Sequence, residues 1–179
     1  MIALLLANGF EEIEALTPLD MLRRAGVPIE TVGIGGTVIE GAHGIKVLAD
    51  VEDVNADIAK YDFVILPGGM PGSVNLDASP FADGIIRSVS ERGGRLAAIC
   101  AAPLVLGRRG LLIGKEATCY PGFENELTGA RISDKSVITD GNITTARGMG
   151  VALEFAKELV RLTAGGDMAN KLSLAIMEK

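Results

Sequence analysis

Residues Arg95 to Pro103 run R-L-A-A-I-C-A-A-P, a short apolar segment that brings Cys100 to the point where a strand should stop and a helix should start. Arg95 to Ile99 has the composition and length of a strand. Pro103 suits the first turn of a helix, because its missing N–H would have no partner there in any case, and Leu104 to Leu106 continue it. Cys100 then occupies the tight turn between them, at the positive end of the helix. Backbone N–H groups and the helix dipole lower a thiol pKa at such a place and raise the thiolate fraction at neutral pH. The strained nucleophile elbow of α/β hydrolases follows the same logic. The alternative reading leaves Cys100 as a small buried hydrophobe in a parallel strand.

Outward from this segment, apolar runs of strand length alternate with helical patterns, with no linker, repeat or low-complexity stretch between them. Ile2 to Ala7 and Phe63 to Leu66 are continuous apolar runs and Ile29 to Ile34 is nearly so, as expected of strands covered on both faces of a parallel sheet. Leu16, Leu19, Leu22 and Ala25 keep helical spacing and Gly26 ends the pattern, while Pro18 marks a restart of that helix with Thr17 as its cap. Ala82 to Arg92 is a second helix stopped by Gly93-Gly94, and Val151 to Leu162 a third closed by Gly165-Gly166. Glu116 to Cys119 reads as a strand, and Val137 to Thr145 carries Asp140-Gly141 between β-branched residues, a hairpin signal. This order predicts one domain over residues 1–179, an open, doubly wound α/β fold whose mostly parallel sheet has helices on both faces. Ligands of such sheets bind outside the carboxyl ends of the strands, and Cys100 falls at one of those ends.

Composition narrows the setting. A chain of 179 residues buries roughly 70% of its unfolded surface without staples. Net charge is −6, and the 17 basic residues are scattered, with Arg23-Arg24 and Arg108-Arg109 the adjacent pairs, so nucleic acid is not the expected partner. Two cysteines in a chain of this length read as reduced thiols and not as a disulfide framework. The start, Met1 to Phe10, has no basic n-region or small-residue cleavage site, and its apolar run is far shorter than a membrane span. It reads as the first strand of a cytoplasmic protein with no membrane partner, in which the Asn142-Ile143-Thr144 triplet carries no glycan.

Two other strand ends hold unusual residues. The first runs into Gly9-Phe10-Glu11-Glu12-Ile13-Glu14, three carboxylates at the entry of a helix. Glu11 and Glu12 are expected to complement the helix dipole. Glu14, one turn further on, is placed to point back across the sheet end toward the elbow. Desolvation and a facing thiolate would raise its pKa, so that it stays protonated and shuttles a proton. The third strand ends in Leu66-Pro67-Gly68-Gly69-Met70-Pro71-Gly72. No Gly-Lys-Ser/Thr follows, which disfavours a phosphate cradle. An oxyanion hole built from the Gly69 and Ala101 N–H groups, with Gly68 lining the substrate position, fits better than a merely flexible loop.

Together N-G-F-E-E-I-E, L-P-G-G-M-P-G and A-A-I-C-A-A-P resemble the ThiJ/PfpI superfamily. Within it the chain is similar to the Parkinsonism-associated deglycase (DJ-one) branch and its bacterial YajL-like members. The resemblance extends over nearly the whole chain, through R-R-A-G after the first helix, A-T-C-Y-P at Ala117 to Pro121, and A-R-G-M-G before the long helix. It implies a flavodoxin-like sandwich, a homodimer, a reactive cysteine at Cys100 beside a protonated glutamate at Glu14, and oxyanion donors at Gly69 and Ala101. It also implies an anion site at the subunit boundary, with Arg24 matching one arginine and His43 standing loosely where the partner's arginine lies in that branch. The plainer alternative puts His43 on a solvated loop and leaves Arg24 at its helix end.

Departures from the pattern select among the chemistries of the superfamily. Protease-like members have a histidine directly after the nucleophile, where this chain has Ala101, and His43 is the one histidine present. A Cys-His dyad for amide hydrolysis is therefore poorly supported. Tyr120 stands where human-type members have a histidine, to hydrogen-bond a substrate oxygen or simply to pack. Cys100, Cys119 and one histidine make a weak metal set, and no cofactor is called for. The expectation is a cofactor-independent glyoxalase or deglycase acting on a small reactive aldehyde. Its alternative is a redox sensor or chaperone-like protein in which Cys100 is oxidised and Glu14 hydrogen-bonds the product. Cys119 is expected to be a buried, poorly reactive thiol.

Overall fold

Strands that are apolar on both faces require cover on both sides, and helices between them supply it. The computed structural model describes residues 1–178. Its elements are β1 (Ile2–Leu6), α1 (Glu12–Arg24), β2 (Ile29–Gly33), β3 (Val38–Glu40), β4 (Lys46–Leu48), β5 (Val51–Glu52), β6 (Phe63–Leu66), α2 (Gly72–Ala78), α3 (Pro80–Glu91), β7 (Arg95–Ile99), α4 (Pro103–Arg108), β8 (Glu116–Ala117), β9 (Arg131–Ile132), β10 (Val137–Asp140), β11 (Ile143–Ala146), α5 (Ala152–Ala164) and α6 (Gly166–Ala175). The main sheet has the order β10-β11-β7-β6-β1-β2-β5. Every pairing in it is parallel except the β10–β11 hairpin. Its central five, β2-β1-β6-β7-β11, follow the 2-1-3-4-5 order of a flavodoxin-like sheet.

Alternate residues of each strand feed two separate cores. Ala3, Leu5, Val64, Leu66, Leu96 and Ala98 face one way, against Leu76, Ile85, Ile86, Val89, Leu104 and Val105 of α2, α3 and α4. Leu4, Leu6, Ile65, Ala97 and Ile99 face the other way, against Leu19, Leu22, Phe155, Leu159 and Val160 of α1 and α5. Among the described residues no helix is long and apolar enough to cross a membrane.

The structure departs from the sequence reading at several joints. Pro18 lies inside an unbroken α1 instead of restarting it. A proline there forfeits one backbone hydrogen bond, but the helix buries Ala15, Leu19, Met21 and Leu22, and that packing outweighs the loss. The strand after Lys115 is only Glu116–Ala117 and pairs with β9. The loop with His43 is the turn of a β3–β4 hairpin, and Gly165-Gly166 leads straight from α5 into α6. The helix expected from Ala82 starts earlier than its apolar pattern, at Pro80, because Ser79 caps it by accepting from the Ala82 N–H at 3.2 Å.

Candidate active site

The strand order reverses between β1 and β6, with α1 covering one face and α2 the other, so the carboxyl ends of β1, β6 and β7 border a crevice. Each contributes one group. Cys100 follows β7 directly and has φ 65°. That left-handed conformation costs a residue with a Cβ roughly 1–2 kcal/mol. Two backbone bonds hold it there: the Cys100 N–H donates to the Ala146 carbonyl at 2.9 Å, and its own carbonyl accepts from the Tyr120 N–H at 2.8 Å. The elbow is thus clamped by β11 on one side and by the segment after Cys119 on the other.

Glu14 comes from the first turn of α1 and is fully buried, 0% exposed. Its Oε2 accepts from the Gly68 N–H at 3.0 Å, while Oε1 is buried with no hydrogen-bond partner among the described residues. Burial first, aided by the charge of Glu11 and opposed by hydrogen bonds with Cys100 and Gly68, raises the carboxyl to about 7. Gly68 has to be glycine for this approach. A Cβ there would lie 2.5 Å from Glu14 Oε2 and 2.6 Å from Cys100 Cβ.

The Cys100 thiol departs from the sequence expectation. Burial, then the charge and hydrogen bond of Glu14, push it up to about 12, against the opposing pull of the Ala101 and Gly69 N–H groups. The expected lowering by a helix dipole fails because burial of the sulfur, and after it the facing carboxyl, raise the thiol while α4 is only six residues long. Glu14 and Cys100 therefore form a coupled pair that holds one proton between about 7 and about 12. Whichever atom carries it, the site brings together one thiol, one buried carboxyl and two N–H groups directed at the sulfur. Neither the Gly69 nor the Ala101 N–H is used by a backbone carbonyl among the described residues.

Other expected residues are placed differently. Tyr120 borders the site, half-exposed at 52%. Arg24 donates to Asp20 at 2.6 Å on the exposed side of α1, ten residues or about 15 Å along the helix from Glu14, so within one chain it does not reach Cys100. His43 is bound to its own chain. Its N–H and ring Nδ1 meet Glu12 Oε1 and Oε2, both at 2.8 Å, and Nδ1 lies 3.7 Å from Glu11. A positive charge on His43 is satisfied by these two carboxylates of its own chain. Glu12 stands in the first turn of α1, as a helix-dipole residue should, and has a further role that the sequence did not show: it is buried and ties the β3–β4 turn to α1. Glu11, Glu12 and His43 do bring their ligand atoms within 4.8 Å of one another, a convergence hidden by a spacing of 31 residues. The ion pair accounts for it.

Cys119 packs in the core between the sheet and α4, 4% exposed, and burial followed by the charge of Glu124 raises it to about 11. Sequence reasoning overlooked Gly148, which closes the site opposite Gly68. A Cβ on it would stand 3.8 Å from Glu14 Oε1 and 3.9 Å from Cys100 Sγ. Its only signal was its place inside Ala146-Arg147-Gly148-Met149-Gly150, just after a strand end.

The comparisons with known proteins agree with this architecture. The chain is 36% identical to Protein dj-1beta of Drosophila melanogaster over 176 residues, covering 97% of this chain and 94% of that one. It is 30% identical to the glutathione-independent glyoxalase DJR-1.2 of Caenorhabditis elegans over 164 residues, 90% and 87% of the two chains. The crystal structure of a cysteine-to-alanine mutant of a DJ-1 superfamily protein from Salmonella typhimurium superposes with a TM-score of 0.94 at 32% identity, covering 99% of this chain and 98% of that one. With the family model matching residues 1–162, the chain belongs to the DJ-1/PfpI family.

Proposed function

We propose that the protein is a cofactor-independent glyoxalase that converts methylglyoxal, or its adducts on amines and thiols, to a hydroxy acid. The observation that carries this reading is Glu14: wholly buried, fixed by Gly68, raised by burial to about 7, and facing the Cys100 thiol. An acid and base poised near the operating pH is what successive proton transfers at one carbon pair require. The relative named as a glutathione-independent glyoxalase supports the same chemistry.

In this mechanism Glu14 takes the thiol proton as Cys100 sulfur adds to the aldehyde carbon, and returns it to the carbonyl oxygen, giving a hemithioacetal. The Gly69 and Ala101 N–H groups hold the developing oxyanion. Glu14 then moves the proton from the former aldehyde carbon to the neighbouring carbonyl oxygen, giving an enediol. It next moves the hydroxyl proton of the first carbon to the second carbon, so that the first C–O becomes a carbonyl and the second a hydroxyl. The first carbon is oxidised to a thioester while the second is reduced to an alcohol. Water cleaves the thioester, releases lactate and restores the thiol, so the sum is methylglyoxal plus water to lactate.

The exposed apolar residues Ile13 and Ile45, with Leu16, Met21, Leu153 and Ile176 lining a groove beside α1, support the expected homodimer. Lactate formation from methylglyoxal without added thiol, compared among wild type, Cys100→Ser and Glu14→Gln, tests the reading. No lactate from the wild type would end it.

A further inference from the structure

At the amino ends of β1, β6 and β7 a cavity of about 450 Å³ lies between Ile2, Val27, Phe63, Leu162 and Arg95. Ile2, Phe63 and Arg95 open their strands, and Leu162 belongs to the last turn of α5. The cavity is remote from the candidate active site. Arg95 begins β7 and Cys100 follows its end, five residues or roughly 17 Å along an extended strand. Its wall is mostly apolar, so an apolar body fits it.

Two charged side chains reach this wall, Asp62 and Arg95. Asp62 stands at the exposed rim and is engaged by the amino-terminal nitrogen at 2.8 Å. Arg95 has no such partner: its Nη1 is sealed from water and makes no hydrogen bond among the described residues. Glu158 of α5 senses its charge but is committed elsewhere. Its two oxygens take Arg161 at 2.7 and 2.8 Å and the Thr139 hydroxyl at 2.7 Å. A partly desolvated guanidinium without a carboxylate of its own lacks a counter-ion, which costs free energy until an anion meets it.

We infer that this cavity binds a monocarboxylate with an apolar body, its carboxylate meeting Arg95 and its body lying against Ile2, Val27, Phe63 and Leu162. One unmatched positive charge calls for one negative charge. A phosphate dianion would bring a second one next to Asp62 and Glu158, with no cation to meet it. The guanidinium fork matches the two oxygens of a carboxylate. The site is separate from Cys100 and Glu14 and does not depend on the glyoxalase reading.

Calorimetric titration tests this with octanoate, with octanamide, which has the same body and no charge, and with octylamine, which reverses the charge. Octanoate is expected to bind the wild type at least about tenfold more tightly than octanamide, the scale of a charge-assisted hydrogen bond, and octylamine not to bind. Arg95→Met keeps the apolar stem and should lose the preference for octanoate. Arg87→Met, at an exposed arginine of α3 paired with Asp83 at 2.8 Å, should keep it. Equal affinity of the wild type for octanoate and octanamide, no binding of octanoate, or an unchanged preference in Arg95→Met would overturn the inference.

A second measurement locates the ligand without removing the charge. On addition of octanoate to isotope-labelled wild type, the amide resonances of Phe63, Arg95 and Leu162 should shift, while those of Gly68, Ala101, Ile13 and Leu16 stay fixed. Val27→Phe narrows the cavity from its wall, leaves Arg95 in place and should weaken octanoate at least about tenfold. It carries the test if Arg95→Met fails to fold. Shifts confined to the groove beside α1 or to the loops around Cys100, or full affinity in Val27→Phe, would refute the site.

Discussion

Glu14 accepts the Gly68 N–H on Oε2 at 3.0 Å and keeps its other oxygen buried toward Cys100, whose thiol it faces. The helix of one βα unit and the loop of the next are thereby joined by a group that is poorly solvated when charged. Its raised pKa of about 7, set chiefly by burial, makes the protonated form the comfortable one. The fold is accordingly under an electrostatic load at neutral pH, located at the site itself.

That load is measurable. A group whose folded pKa lies above its unfolded value of 4.5 contributes stability fully below the lower value and loses it as pH rises through about 7. Glu14→Gln removes the titration. The variant should gain stability over wild type between pH 5 and pH 8 by an amount on the order of 3 kcal/mol. Urea midpoints at the two pH values check this, and an unchanged difference would contradict the burial of a charged carboxylate.

Strain at the elbow is separable from chemistry. Because Cys100 sits at φ 65°, Cys100→Gly should be more stable than Cys100→Ala by about 1 kcal/mol, although it removes more atoms. Thermal unfolding of the two inactive variants would show the order. Alanine equal to or above glycine would mean that the turn relaxes.

The His43–Glu12 contact should read as a pH-dependent tie between the β3–β4 turn and α1. His43 is raised above 6.5 by its hydrogen bond to Glu12, then by the charges of Glu11 and Glu12. Its stabilising effect is complete below its unfolded pKa and lost as pH rises through the folded one. The difference in unfolding midpoint between wild type and His43→Ala should therefore shrink from pH 6 to pH 9. Glu12→Gln, at a buried carboxylate, should cost about 1–3 kcal/mol, whereas Glu11→Gln should be mild.

Much of this was legible in the chain before any coordinates. The runs at Ile2, Phe63 and Arg95 show their burial on both faces directly, and the strand-to-Pro103 junction locates the elbow, because these depend on residues adjacent in sequence. Glu14 and the Gly68-Gly69 loop were readable for the same reason. The thiol pKa was misjudged, since its sign is set first by how deeply the sulfur is buried and then by the carboxyl that faces it, both matters of packing across three strands. Glu12 and His43 find each other over 31 residues through a hairpin too short to leave a periodic signal. Gly148 showed only as part of A-R-G-M-G, because its place beside Glu14 and Cys100 depends on β11 lying next to β7.

Cys119 should stay out of the redox chemistry of the site. Buried in the core at 4% exposure, it is shielded from peroxide, whereas Cys100 is partly exposed and faces the Glu14 carboxyl, which can take its proton. Peroxide treatment followed by peptide mass analysis should give sulfinic acid at Cys100 and unmodified Cys119. An internal Cys100–Cys119 disulfide as the main product would show that the elbow opens far enough for the two sulfurs to meet.

The shared proton of Cys100 and Glu14 is the centre of the account, and one assay tests it most directly: lactate released from methylglyoxal in the absence of glutathione, measured across pH for wild type and Glu14→Gln. The wild type should turn over with kcat/KM rising through an apparent pKa of about 7, where the pair gives up its first proton. Glu14→Gln, with Cys100 intact, should release no lactate at any pH. Turnover by Glu14→Gln near the wild-type rate, or the same rise near 7 without the carboxyl, would contradict it.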